Sequence, residues 1–105
     1  MANGLLAKKM LLDEFLTMVY EAPPNVKYVD AHVHLVNRSN KGNIQLRVAV
    51  TVDDSPKDVD FIDDGTILKY GGGRTYIELV LSPGEKIFVR GEEGLNVRVD
   101  GNEVV

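Results

Sequence analysis

The alternation of apolar and polar residues predicts an all-β domain, an antiparallel sandwich or barrel, and three observations carry that expectation. From Tyr28 onward the hydropathy repeats every second residue, the period of a strand with one buried face. Clusters of Gly, Pro, Asn and Asp separate the alternating runs at short intervals. Composition is that of one folded domain: 105 residues, 44% hydrophobic and 27% charged, enough for a single modest core.

Taken in order, residues 8–20 are ambiguous. Leu11, Leu12, Phe15, Leu16 and Val19 sit at helical spacing, and propensity mildly favours a helix. The rival is two strands, 7–12 and 15–21, turning at Asp13-Glu14. Next, Val29, Ala31, Val33 and Leu35 point one way, and Tyr28, Asp30, His32, His34 and Val36 the other. A polar turn, 37–43, follows. Then Ile44, Leu46, Val48, Val50 and Val52 make an apolar face, so the two strands are expected to pair as a hairpin, with Val48 and Val50 in the core. Pro56 ends pairing in the acidic loop. Val59 to Ile62 reads as a short strand, Asp63-Asp64-Gly65 as punctuation and 66–70 as another short strand. After Gly71-Gly72-Gly73, residues 75–81 alternate again, and Ser82-Pro83-Gly84-Glu85 is a turn with Pro second and Gly third. Strands at 86–90 and 95–99 complete the chain, with Asp100-Gly101 reading as a hairpin-type dipeptide.

Composition excludes several function classes. A net charge of −4, with Lys and Arg occurring singly or as the pair Lys8-Lys9, argues against non-specific nucleic-acid binding. With no cysteine there is neither a disulfide framework nor a thiol nucleophile. The apolar runs fall far short of the roughly 20 residues that span a membrane. At the N-terminus, Lys8 and Lys9 follow a very short apolar run, the reverse of an export signal.

His32 and His34 are the candidate metal ligands. Val29-Asp30-Ala31-His32-Val33-His34 resembles the His-x-His strand that opens the metal-dependent amidohydrolases. Those two are the chain's only histidines, while a catalytic zinc needs at least three protein ligands and the amidohydrolase barrel roughly 250 residues. The motif therefore reads as a strand with two histidines about 7 Å apart on one face. Asp53, Asp54, Asp58, Asp60, Asp63 and Asp64 lack the spacing of a helix-loop-helix calcium site and read as solvated turn residues. Gly71-Gly72-Gly73-Arg74 is followed by a strand, not by the helix a phosphate loop opens. No nucleophile, base and orienting acid stand together in the sequence, and the expectation is a protein without catalytic residues or cofactor.

From about Asn3 to the end, the order of segments resembles the small virion structural proteins of tailed bacteriophages. The resemblance is carried by the opening Met1-Ala2-Asn3-Gly4-Leu5-Leu6-Ala7-Lys8, by Thr17-Met18-Val19-Tyr20 with Ala22-Pro23, and by Val36-Asn37-Arg38-Ser39. It continues through Arg47-Val48-Ala49-Val50, Ser55-Pro56, Asp60-Phe61-Ile62 and Leu81-Ser82-Pro83-Gly84-Glu85-Lys86 to a final Val97-x-Val99-x-Gly101. The chain departs from the pattern at residues 11–16, more apolar and acidic than is usual there, and at 102–105, which run on past it.

The resemblance implies a small antiparallel β-sandwich of jelly-roll or immunoglobulin-like type and favours strands over helix in 8–20. Residues 1–12 would be an N-terminal arm or first strand, and 13–105 the sandwich domain. It implies a capsid decoration or cement protein, non-enzymatic, forming homotrimers, bound to the major capsid protein of a virion assembled in the host cytoplasm. A tail, neck or baseplate accessory is the near alternative, and a host-glycan-binding module a further one. Leu5, Leu6 and Met10 are the candidate partner-binding residues, as an apolar anchoring segment.

Overall fold

The computed structural model describes residues 3–105. Its strands are β1 (Asn3–Met10), β2 (Thr17–Glu21), β3 (Tyr28–Asn37), β4 (Ile44–Thr51), β5 (Phe61–Leu68), β6 (Gly73–Leu81), β7 (Lys86–Arg90) and β8 (Leu95–Val104), with one 3-10 turn at Asp58–Asp60. They form two four-stranded antiparallel sheets. Sheet I has the order β1-β8-β3-β6 and sheet II the order β2-β7-β4-β5. Strand 1 thus pairs with 8, 2 with 7, 3 with 6 and 4 with 5, as in a rolled antiparallel ribbon, which is the jelly-roll arrangement of a β-sandwich.

The two sheets bury facing apolar rows. Val29, Ala31, Val33 and Leu35 of β3 and Leu95, Val97 and Val99 of β8 meet Ile44, Leu46 and Val48 of β4 and Ile87 and Val89 of β7. Each such Val, Leu or Ile side chain contributes about 1.5–3 kcal/mol by leaving water. The ladder between β3 and β8 runs unbroken from Tyr28 opposite Val104 to Asn37 opposite Leu95. Gly101 makes this possible: its φ is +151°, and a Cβ there would stand 1.9 Å from the Asp30 carbonyl oxygen. Asp100-Gly101 is therefore not a turn. It is an interior stretch of β8, where the missing side chain lets β3 come close.

Other expectations are also corrected. β3 and β4 do not form a hairpin; they lie in different sheets. Each has an apolar face that the sandwich buries, and the two faces meet across the core instead of lying side by side. Asp63-Asp64-Gly65 does not divide a strand: Asp63 and Asp64 pair opposite Val48 and Arg47, a register shift passes over Gly65, and β5 runs on to Leu68. Val48 is in the core, but Val50 is only half-buried and Val52 is exposed, whereas Ala49 and Thr51 are buried. Past Val48 the outer side of β4 is covered by its neighbours: Ala49 sits opposite Phe88 and Phe61. Residues 8–20 contain no helix: β1 ends at Met10, the chain bends at 13–15 and β2 begins at Thr17, with Leu11 fully buried and the bend fixed by Asp13, whose Oδ1 accepts from the Phe15 N–H at 3.0 Å.

Irregularity is confined to the margins. The edge strands β1, β2, β5 and β6 each pair through a shifted register, while the ladders β3–β8 and β4–β7 have none. In β6, Ile77 and Glu78 together oppose His32, with Glu78 at φ 59°. A bulged, twisted edge is a poor template for a foreign strand.

One end of the sandwich is tied by a buried asparagine. Asn37 donates from Nδ2 to the carbonyls of Gly42 (2.7 Å) and Leu68 (2.9 Å), and its Oδ1 accepts from the Ser39 N–H (3.0 Å). Its backbone N–H donates to Gly72 O and its carbonyl accepts from Gly71 N–H. Asn37 thereby links the end of a sheet I strand to the end of a sheet II strand. Asn37→Ala strands these partners and should cost about 2–4 kcal/mol in urea unfolding. Val48→Asp should abolish the cooperative transition by burying a charge, whereas Val50→Asp should keep a folded, weakened domain. Equal melting of the two aspartate variants would contradict the observed register.

Candidate functional site

Sheet I has an outer face built from the residues between its core positions. Strand alternation and the β3–β8 register place His34 opposite Arg98, His32 opposite Asp100 and Val36 opposite Asn96. The flanking strands extend these rows: Thr75 of β6 lies beside His34, and Lys8 and Met10 of β1 lie beside Arg98 and Asn96.

His34 is the centre of the face. Its Nε2 lies 3.2 Å from Asp100 Oδ2 and its Nδ1 3.1 Å from Thr75 Oγ1. A neutral ring protonated on Nε2 donates to the carboxylate and accepts from the hydroxyl. The other oxygen of Asp100 accepts from Arg98 Nε at 3.0 Å. Asp100 therefore holds the imidazole and the guanidinium in fixed positions. The ring is oriented between an acid and a hydroxyl, and both of its nitrogens are engaged. Among the described residues, no three His, Cys, Asp or Glu side chains converge as a metal site would require.

Beside His34 is a groove of about 470 Å³. Met10 and Val36 give it an apolar floor, and Lys8 and Arg98, paired on the outward rows, give it a cationic rim; Lys9, opposite the inward Val97, borders it at the sheet edge. Like charges at Lys8 and Arg98, directly across the ladder, raise the local positive potential on a chain whose net charge is negative.

Of the candidate residues, the structure brings His34 and Met10 together in this groove. His32 lies on the same face one row away. Leu5 is exposed further along β1, and Leu6 packs against the core. The sequence reading missed Arg98, Asp100, Thr75 and the lysine pair as members of one site. They come from three strands, and only the pairing order unites them.

The acidic residues serve separate ends. Asp63 clasps the two sheets at their β5–β6 margin, accepting from Tyr76 Oη (2.5 Å), Thr66 Oγ1 (2.7 Å) and Arg74 Nε (3.1 Å). Asp64 pairs with Arg47, whose guanidinium stacks over Phe61 at 4.1 Å. Asp60 closes the 3-10 turn by accepting from the Lys57 N–H. At the other end of sheet I, Tyr20 Oη donates to Glu103 at 2.6 Å. A second cleft of about 330 Å³ lies against Arg47 and Arg90. Arg90 Nε donates to the Glu14 carbonyl, which pins the β1–β2 loop.

Comparison with protein-family models gives no match, and comparison with curated proteins gives none either.

The Asp63 clasp titrates in both directions. Burial alone would raise the Asp63 carboxyl, but the hydrogen bonds from Tyr76 and Thr66 and the charge of Arg74 hold it below the ordinary carboxylate value. Burial, then the bond to Asp63, pushes the Tyr76 phenol up to about 12. Asp63 thus stabilises the fold above its unfolded-state value and stops doing so as pH falls through its lowered native one. Tyr76 contributes fully below its ordinary value of 10.0 and loses that contribution as pH rises towards about 12. In Tm measured against pH, Tyr76→Phe should flatten the loss between those two values and move the acid transition to higher pH. An unchanged profile would mean that the clasp does not couple the sheet margins.

Proposed function

We propose that the protein is a non-enzymatic virion structural component, a decoration or cement protein that binds the assembled capsid of a tailed bacteriophage as a homo-oligomer. The segment order described above supports this reading across nearly the whole chain. The observation that carries it is the display of large apolar side chains at both ends of a rigid sandwich. Leu12 and Phe15, 71% and 69% exposed, project from the β1–β2 loop, and Val59, 91% exposed, from the turn before β5. These side chains gain nothing from the fold itself, and apolar groups held out on a scaffold favour contact with a partner. The shifted registers of the edge strands argue that such contact uses loops and faces.

The purified protein should cosediment with undecorated capsids to a fixed number of copies and stay in the supernatant with isolated tails. Leu12→Ser combined with Phe15→Ser should weaken capsid binding by about tenfold or more while leaving Tm unchanged. Binding to tails alone would transfer the role to a tail, neck or baseplate accessory. Binding to neither would overturn the virion reading and leave host glycans as the ligand to test.

A further inference from the structure

The cationic groove on sheet I has a complementary feature on the same chain, and the two cannot meet within one molecule. Asp58-Val59-Asp60 forms a 3-10 turn closed by two hydrogen bonds, from Asp60 N–H to Lys57 O (2.9 Å) and from Lys57 N–H to Asp60 Oδ2 (2.7 Å). The turn is a preformed knob, with Val59 at its tip between two carboxylates. Asp53 in the preceding loop adds to its negative charge, while Asp54 is paired with Lys86 at 3.6 Å. The groove offers the converse, an apolar floor of Met10 and Val36 beneath Lys8, Lys9 and Arg98. Neither Lys8 nor Lys9 has a carboxylate partner among the described residues.

The chain path keeps knob and groove apart. Val36 lies next to the last residue of β3, at the end where the chain crosses to β4. β4 then runs back along the sandwich for eight residues before the loop that carries the turn. At about 3.3 Å per residue this places the turn some 25 Å or more from the groove, at the opposite end.

We propose that the Asp58–Asp60 turn of one copy docks into the Lys8, Lys9 and Arg98 groove of a second copy, with Val59 against Met10 and Val36. The contact is head-to-tail. Repetition closes a ring when the rotation between copies allows, and a trimer is one such ring. The contact deepens the homo-oligomeric part of the function proposed above by naming the surfaces that meet. Because the docking residues are charged and exposed, association is expected to weaken as salt rises.

Sedimentation velocity of the full chain over a concentration series, without capsids, tests the contact. The wild type should associate, and high salt should reduce its association. Lys8→Asp with Lys9→Asp makes the groove acidic; Asp58→Lys makes the knob less acidic and leaves the Asp60 bond in place. Each variant alone should self-associate about tenfold more weakly or worse, with Tm unchanged. An equimolar mixture of the two should associate again into pairs, because the unaltered groove of the knob variant receives the unaltered knob of the groove variant. A wild type that stays monomeric at every concentration, or association indifferent to salt and to both variants, overturns the proposal. A monomeric wild type would also remove the homo-oligomeric part of the function proposed above, whereas capsid binding, read by cosedimentation, stands or falls separately.

Discussion

The unbroken register between β3 and β8 is the constraint on which the rest of the molecule depends. It sets Val29, Ala31, Val33 and Leu35 beside Val99, Val97 and Leu95 on the inner side. The same register sets His34 beside Arg98 and His32 beside Asp100 on the outer side. A slip of one residue would exchange the two sides, exposing the core row and burying the charged one. Core and groove are thus two consequences of one alignment. Gly101 permits the alignment by leaving room for the Asp30 carbonyl, and Asn37 ends it by tying the last β3 residue to the other sheet.

Much of this was legible in the sequence because alternation reports burial. The inward residues of β3, the core role of Val48, and the turn at Ser82-Pro83-Gly84-Glu85 all follow from local pattern. That turn shows the expected Glu85 N–H to Ser82 O bond and a left-handed Gly84. What local pattern does not report is which strands are neighbours. The segment joining β3 to β4 has the composition of a hairpin turn, yet it crosses between sheets, because both strands must bury a face and the sandwich lets those faces meet. Asp100-Gly101 fails as a turn for a related reason: glycine serves close backbone approach as readily as reversal. The candidate site was half visible. His34 stood out because histidine is scarce here, while Thr75, Arg98 and Asp100 are ordinary surface residues until the strand order collects them.

The polar contacts divide the labour differently from the core. Buried apolar rows hold the sheets together over their area, whereas the polar ties sit where the sheets end. Asn37 closes one end, and the Tyr20–Glu103 bond joins sheet II to sheet I at the other. The Asp63 clasp joins the β5 and β6 margins. At those places the apolar interior runs out, and a hydrogen bond in partly excluded solvent defines the geometry that packing no longer does.

The position of β8 has a kinetic meaning. It is the final strand in chain order, yet it lies between β1 and β3, so neither can complete its pairing in sheet I until β8 arrives. The β4–β5 pair closes a short loop and can form early, but the central ladder joins segments separated by most of the chain. Loops of that size must close before their contacts repay the lost entropy, which places such topologies among the slower-folding small domains. On the ribosome, the first strand and the histidine strand emerge long before their common neighbour. The groove is therefore assembled late, in the same event that completes the fold.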